Sequence, residues 1–166
     1  MTASLSELFK RITLGIYVVG VTDGTRQSAF TAAWVTQVSF DPLMLAVSIN
    51  THGSSFPLVE RGKVFSVNVL ATGQTELARH FGTSGLSDKL AGHAWRAGKT
   101  GSPLLEEAMA WFDCEWVASY PAGDHALVLG RVVDGRLLAP EQEPLTYRGT
   151  GNLDGADSLY PSAFPE

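Results

Sequence analysis

Thr31-Ala32-Ala33-Trp34-Val35-Thr36-Gln37-Val38-Ser39-Phe40-Asp41-Pro42 decides how this chain is read. The stretch begins as an alternating strand and ends in a turn at Asp41-Pro42. Its front half is small, with Thr31, Ala32 and Ala33 in a row. A planar ligand comes close to main-chain N–H and C=O groups only where side chains are small. The segment therefore marks a strand and, on the same residues, a candidate ligand edge.

Outward from it, hairpin signals dominate. Gly15 to Thr22 reads as a strand, Asp23-Gly24 as its turn and Arg26 to Trp34 as the return. Leu43 to Asn50 is a further strand, with Leu43, Leu45, Val47 and Ile49 on one face. Its other face, Met44, Ala46, Ser48 and Asn50, is smaller and more polar. Val64 to Leu70, Met109 to Ser119 and Ala126 to Val133 follow the same pattern. In Met109 to Ser119 the alternation sends Phe112, Cys114, Trp116 and Ala118 to the core and Asp113 and Glu115 outward. Asp134-Gly135 predicts a turn, and Pro144 to Tyr147 one last short strand.

Three short helices are expected. Ser4-x-x-Glu7 has the form of a capping box opening Leu5 to Ile12. Ser54 or Ser55 caps Ser55 to Glu60, with Pro57 in the first turn and Gly62 just past the end. Thr75 to Phe81 is closed by Gly82. Gly82 to Gly101 lacks periodicity and reads as a long loop. The tail from Gly151 is expected to wrap the surface or a partner subunit. Six or seven strands without regular intervening helices favour an antiparallel barrel over a doubly wound sheet.

The bulk properties narrow the classes. The chain has 166 residues, enough for one domain with its own core. Hydrophobic residues make up 45% and charged residues 17%, which describes a globular chain. The net charge is −5 and no Lys/Arg run forms a phosphate-binding stripe, which argues against nucleic acid. The single cysteine, Cys114, excludes an intramolecular disulfide and a cysteine-based metal site. His52, His80, His93 and His125 show no metal-ligand spacing, so no metal is expected. No Walker loop, Gly-x-Gly-x-x-Gly or nucleophile elbow is present. No apolar run approaches a membrane span, and Glu7, Lys10 and Arg11 interrupt the N-terminal stretch, so a cytoplasmic protein is expected.

Three constellations carry candidate chemistry, each with two readings. Asn50-Thr51-His52-Gly53-Ser54-Ser55-Phe56 follows a strand and opens a helix, which suits either an anion or a plain serine cap. Lys89, in Ser87-Asp88-Lys89-Leu90-Ala91-Gly92, reads by itself as a solvated lysine. Gly123-Asp124-His125 reads by itself as a turn followed by a strand-edge histidine.

Taken in order, the motifs say more. They are Thr-Ala…Val-Ser-x-Asp-Pro, Gly-Lys-Val-Phe-Ser-Val-Asn-Val-Leu, Leu-Ala-Arg-His-Phe, Asp-Lys-Leu-Ala-Gly, Gly-Asp-His and Pro-Leu-Thr-Tyr-Arg-Gly. From about Leu8 to Asn152 the series resembles the flavin reductase-like family, the FMN-binding split barrels. The resemblance implies a mainly β fold, an antiparallel Greek-key split barrel of about six strands, over residues 1–152, with 153–166 as a C-terminal tail. It implies a flavin, FMN or alternatively FAD, whose ring edge is read by the main chain of Ala33, Trp34, Val35, Thr36, Gln37 and Ser39. It places the flavin phosphate on Ser54, Ser55 and Phe56, with Lys89 as a point charge, and the nicotinamide of NADH or NADPH against His125. It further implies a homodimer with flavin near the interface, and reduced flavin supplied to a separate monooxygenase or redox-protein partner. His52 and Gly53 depart from the family's serines, Gln37 replaces a frequent serine and Leu43 a second proline. Trp34 departs most. Ala-Trp-Val-Thr-Gln is similar to the flavoredoxin branch, whose members carry electrons on FMN. Trp34 suits stacking on a flavin and a core position equally.

Overall fold

The strands assemble because their apolar residues alternate and tight polar turns separate them. In the computed structural model, which describes residues 3–165, β1 (Tyr17–Thr22) turns at Asp23-Gly24 into β2 (Gln27–Ala32). The Asp23 carboxylate accepts from the N–H groups of Thr25 and Arg26, and these bonds hold its carboxyl down at about 2. Met1, Thr2 and Glu166, the outer ends of the expected domain and tail, lie outside the described residues.

The deciding stretch does not continue as one strand. β2 stops at Ala32, and β3 (Val35–Phe40) pairs instead with β4 (Leu43–Asn50) across Asp41-Pro42. β5 (Val64–Val69), β8 (Ala110–Ala122) and β9 (His125–Leu137) complete a sheet of order β2-β1-β5-β8-β9-β4-β3. Every pairing is antiparallel. β6 (Trp95–Ala97) and β7 (Pro103–Leu105) form a separate ladder.

β2 and β3 sit at opposite edges of the seven-stranded sheet, yet only Ala33 and Trp34 separate them in the chain. Three peptide steps span about 10 Å at most. The sheet must therefore roll until its edges meet, and no ladder joins them across the seam. That is a split barrel. β5, β8 and β9 are neighbours in order while β4 returns beside β9, a Greek key.

Val19, Val47, Phe65 and Val67 fill the barrel, closed at one end by Leu58 and Val59 of α2 (Phe56–Gly62). Val18, on the opposite face of β1, lies under Phe81 of α3 (Thr75–Gly82) in a second core with Leu70 and Leu105. β1 is thus buried on both faces.

Several expectations are corrected. α1 (Leu5–Phe9) ends before Ile12, although Ser4 Oγ does accept from the Glu7 N–H. Gly62 is inside α2, and Lys63 holds the left-handed position at φ 57°. Gly62 is glycine for a different reason: a Cβ there would run into the Thr22 carbonyl. Likewise α3 includes Gly82 and ends on extended Thr83. The expected loop 82–101 contains β6. Asp134-Gly135 is no turn; β9 runs on to Leu137, with a register shift at Asp113/Cys114. Asp113, expected to face out, is fully buried and takes the hydroxyl and N–H of Thr100. Lys99, one residue earlier, pairs with Asp134 on the facing strand. Pro144 and Thr146 make only isolated bridges, to Ala71 and Gly15. The tail packs on its own chain: Asp157 takes the Lys10 ammonium at 2.9 Å and Tyr160 lies on Phe9.

Gly62→Ala is expected to lower stability by about 1–3 kcal/mol, the cost of forcing a methyl into a backbone contact. Urea unfolding measures it, and an unchanged midpoint would show that the contact gives way freely.

Candidate functional site

The Thr31–Ser39 segment serves two clusters, one on each side of the β2–β3 break. On the first side, Thr31, Ala32 and Ala33 face Arg79, Gly82 and Thr83 across a cavity of about 250 Å3. Tyr147 and Asp154 form its third wall, joined by a hydrogen bond from the Tyr147 hydroxyl to the Asp154 carboxylate at 3.1 Å. Burial first, and the Asp154 charge second, push the Tyr147 phenol well above its ordinary value, so it stays protonated as a donor. On the β2 side its wall is small, Thr31, Ala32 and Ala33; Thr31 also ties β2 to α3, its hydroxyl donating to the Ala78 carbonyl at 2.6 Å.

Lys89 borders this cluster without being a solvated lysine. It is half-buried, and its ammonium donates at 2.9 Å to the Phe81 carbonyl, on the peptide leading into Gly82. Burial lowers its pKa. The Asp88 carboxylate accepts from the N–H groups of Leu90 and Ala91, which fixes the turn around Lys89.

On the second side, Trp34 packs on His125, ring centroids 4.8 Å apart and tilted by 49°. Trp34 is 48% exposed, so it is not a core aromatic. His125 opens β9 opposite Asn50, the last residue of β4. Its Nδ1 lies 2.6 Å from Asp124 Oδ1. That bond holds the Asp124 carboxyl below the usual carboxylate range, so Asp124 accepts and His125 Nδ1 carries the proton. The Thr51 N–H donates to the Asp124 carbonyl, which brings the Asn50–His52 loop against the same turn. The structure thus joins Trp34, His125 and the start of the Asn50–Phe56 loop.

Beyond Trp34 runs an edge strand. β3 pairs with β4 alone, so the main-chain groups on its other side meet no strand. The Trp34 carbonyl takes the Ser48 N–H, and the Ala33 carbonyl takes the Val35 N–H. A bulge between Gln37 and Ser39 bends the strand. The Gln37 amide turns back onto the Ser39 carbonyl at 3.4 Å. Ser54 is exposed and Ser55 buried, and Ser55 does not cap α2 with its side chain. Phe56 is the first residue of α2 and packs on the barrel core.

The wall residues Arg79, Gly82, Thr83, Tyr147 and Asp154 were not singled out from the sequence. Three of these five, Arg79, Gly82 and Tyr147, belong to or adjoin the Leu-Ala-Arg-His-Phe and Pro-Leu-Thr-Tyr-Arg-Gly motifs, which was the available signal.

A family model described as flavin reductase like domain matches residues 9–154. This chain belongs to the flavin reductase-like family. The flavin reductase of Pseudomonas putida is 32% identical over 145 residues, covering 84% of this chain and 85% of that one. A diflavin flavoprotein of Nostoc sp. is 31% identical over 92% of this chain, which spans only 27% of that longer protein. Among solved structures, the NADH:FAD oxidoreductase of Streptomyces globisporus superposes with a TM-score of 0.81, 28% identity and 88% coverage of both chains. It has also been solved with NAD and FAD fragments. The nitrilotriacetate monooxygenase component B of Mycobacterium thermoresistibile has a TM-score of 0.76 and 27% identity, covering 87% of this chain and 83% of that one.

Among the described residues no three His, Cys, Asp or Glu side chains converge as a metal site, and no helix is long and apolar enough to cross a membrane. Burial, and then the Asp113 charge, push the Cys114 thiol up to about 12. Cys114 should therefore stay unreactive towards a disulfide reagent in the folded protein at pH 8 and release one equivalent of thiol on unfolding. Reaction in the folded state would show that the barrel opens.

Proposed function

We propose that the chain is an NAD(P)H-dependent flavin reductase that binds FMN, with FAD as the alternative, and passes hydride to it from NADH or NADPH. The observation that carries this reading is the Thr31–Ser39 segment: small side chains beside a cavity, then the Trp34–His125 pair, then an edge strand whose outer side meets no other strand. Its residues fit a flavin. A ring whose edge alternates donors and acceptors matches an unpaired strand edge, and Thr31, Ala32 and Ala33 leave room for the approach.

When bound, the flavin supplies the hydride acceptor. The main-chain groups of Ala33, Trp34, Val35, Thr36, Gln37 and Ser39 orient the ring and stabilise charge that develops on it. Ser54, Ser55 and Phe56 bind the phosphate, and Lys89 adds positive charge. His125 positions the nicotinamide. Asp124 accepts the Nδ1 proton in a hydrogen bond and so fixes the orientation of the imidazole. Trp34 covers one face of His125 and restricts water beside it.

The exposed side chains of Trp34, Tyr120 and Leu127 support a homodimer built on this face, with flavin near the interface. A separate monooxygenase fed with reduced flavin is the expected partner of a cytoplasmic enzyme; the likeness to a monooxygenase component B supports it. A second reading, an FMN-holding electron carrier served by a protein donor, is favoured by Trp34 and by the match to diflavin flavoproteins.

Anaerobic mixing with FMN and then NADH or NADPH tests the proposal. Rapid bleaching of the visible band is the expected result, and the faster nucleotide identifies the donor. Bound flavin that neither nucleotide bleaches would overturn the reductase reading in favour of the carrier. Within the reductase, His125→Ala should slow nicotinamide-driven reduction about ten- to hundredfold through lost positioning, with little change in flavin affinity. Equal losses in both would remove His125 from the nicotinamide.

A further inference from the structure

We infer that His80 is a positioning residue for Lys89: its Nε2 lies 2.7 Å from the Lys89 carbonyl, in the turn of α3 whose Phe81 carbonyl holds the Lys89 ammonium. Neighbouring helix residues thus grip Lys89 at both ends. Immobilising a free lysine costs rotamer entropy. Here its backbone is latched beside the acceptor its ammonium must reach, so fewer arrangements remain open to it. The carbonyls ending α3 carry partial negative charge, which suits a cation there.

The latch is braced from behind. The His80 ring lies 4.4 Å from that of His93, and meets Phe81 edge-on at 4.9 Å. His93 is fixed by Glu107, with Nδ1 3.0 Å from Oε2, and its N–H donates to the Leu90 carbonyl. The loop is therefore held at Lys89 by His80 and at Leu90 by His93. A carbonyl only accepts, so His80 Nε2 must carry the proton. Protonating Nδ1 as well leaves that bond in place, and the latch does not depend on the charge of His80.

The consequence rests on the proposed reading of Lys89 as the cation for the flavin phosphate. His80 then acts on affinity for the phosphate without touching the flavin. Asn and Gln substitutions separate this from a packing role. In His80→Gln the side-chain amide nitrogen reaches about as far as Nε2 does in the native ring, whereas the shorter amide of His80→Asn stops near the position of Nδ1.

The experiment measures FMN and riboflavin dissociation constants for the native protein, Lys89→Ala, His80→Asn, His80→Gln and the Lys89→Ala/His80→Asn double variant. Lys89→Ala should weaken FMN about tenfold, the size of one charge-assisted hydrogen bond, and leave riboflavin unchanged. His80→Asn should weaken FMN selectively by severalfold, His80→Gln should restore it, and the double variant should be no weaker than Lys89→Ala. If Lys89→Ala does not discriminate between the two ligands, the phosphate reading of Lys89 fails and the inference with it. If Lys89→Ala discriminates but His80→Asn does not, or His80→Asn weakens both ligands equally, the positioning role is overturned while the phosphate reading stands.

Discussion

The two-residue step through Ala33 and Trp34 is the constraint on which the rest depends. It joins strands at opposite edges of one sheet, so it forces the sheet to close. It also forbids a complete closure. Ala33 and Trp34 leave the ladder, and the seam they bridge has no strand pairing across it. A fully closed barrel would satisfy every main-chain group and leave none for a ligand. The break leaves β3 as an edge that is exposed, short, bulged and backed by a packed core. The same local departure from regular structure thus makes the barrel and creates its candidate ligand edge.

Around that seam, buried polar side chains fix what hydrophobic packing alone leaves loose. Asn68, fully buried on β5, donates to the Val18 carbonyl at 2.9 Å and accepts the Leu105 N–H at 2.8 Å. One amide therefore holds β1, β5 and β7 in relative register. Ser66 reaches the Pro103 carbonyl alongside it. Thr100 and Lys99 meet the two facing carboxylates at the β8–β9 register shift. Each of these contacts anchors the 95–105 segment to the barrel. Breaking one of those made by the buried Ser66, Asn68 or Asp113 leaves a desolvated partner unpaired, which costs more than the bond itself contributes. These polar ties hold in place the outer layer that carries the second core and the Lys89 loop.

Sequence legibility followed the physics of each element. β4 was read to the residue because Leu45, Val47 and Ile49 face a packed core and Asn50 faces a polar turn. The change of partner at the β2–β3 break was not legible, although the apolar run Ala32-Ala33-Trp34-Val35 interrupts the alternation there; it comes from sheet closure, a tertiary event. Asp113 was misread for a related reason. Its alternation was judged by hydrophobicity, but its satisfaction comes from Thr100, which is distant in pattern. Gly62 was read as a helix stop when its role is close approach to Thr22. Gly135 was read as a turn although β9 continues through it. Glycine marks several needs, and sequence alone does not separate them. At the candidate site, Trp34 and His125 were both singled out, but their contact was not; it follows from the β4–β9 register that sets His125 beside Asn50.

The Trp34–His125 contact bears on the choice between the two proposed readings, nicotinamide-driven reduction and protein-driven electron transfer. Stacked hydride transfer needs an uncovered flavin face large enough for a second planar ring. Electron transfer needs only proximity, and it gains when water and small donors are kept out. A Trp34 ring held on His125 restricts rotation of both side chains and, on the proposed reading of His125, would lie beside the nicotinamide. Its half exposure shows that it is not locked into the core, so it can tilt away at modest cost. The Asp124 carboxylate pulls His125 from the other side and limits how far the imidazole follows. On the proposed reading, both contacts act on the one imidazole that faces the donor, so they, rather than the barrel, would set how it is presented.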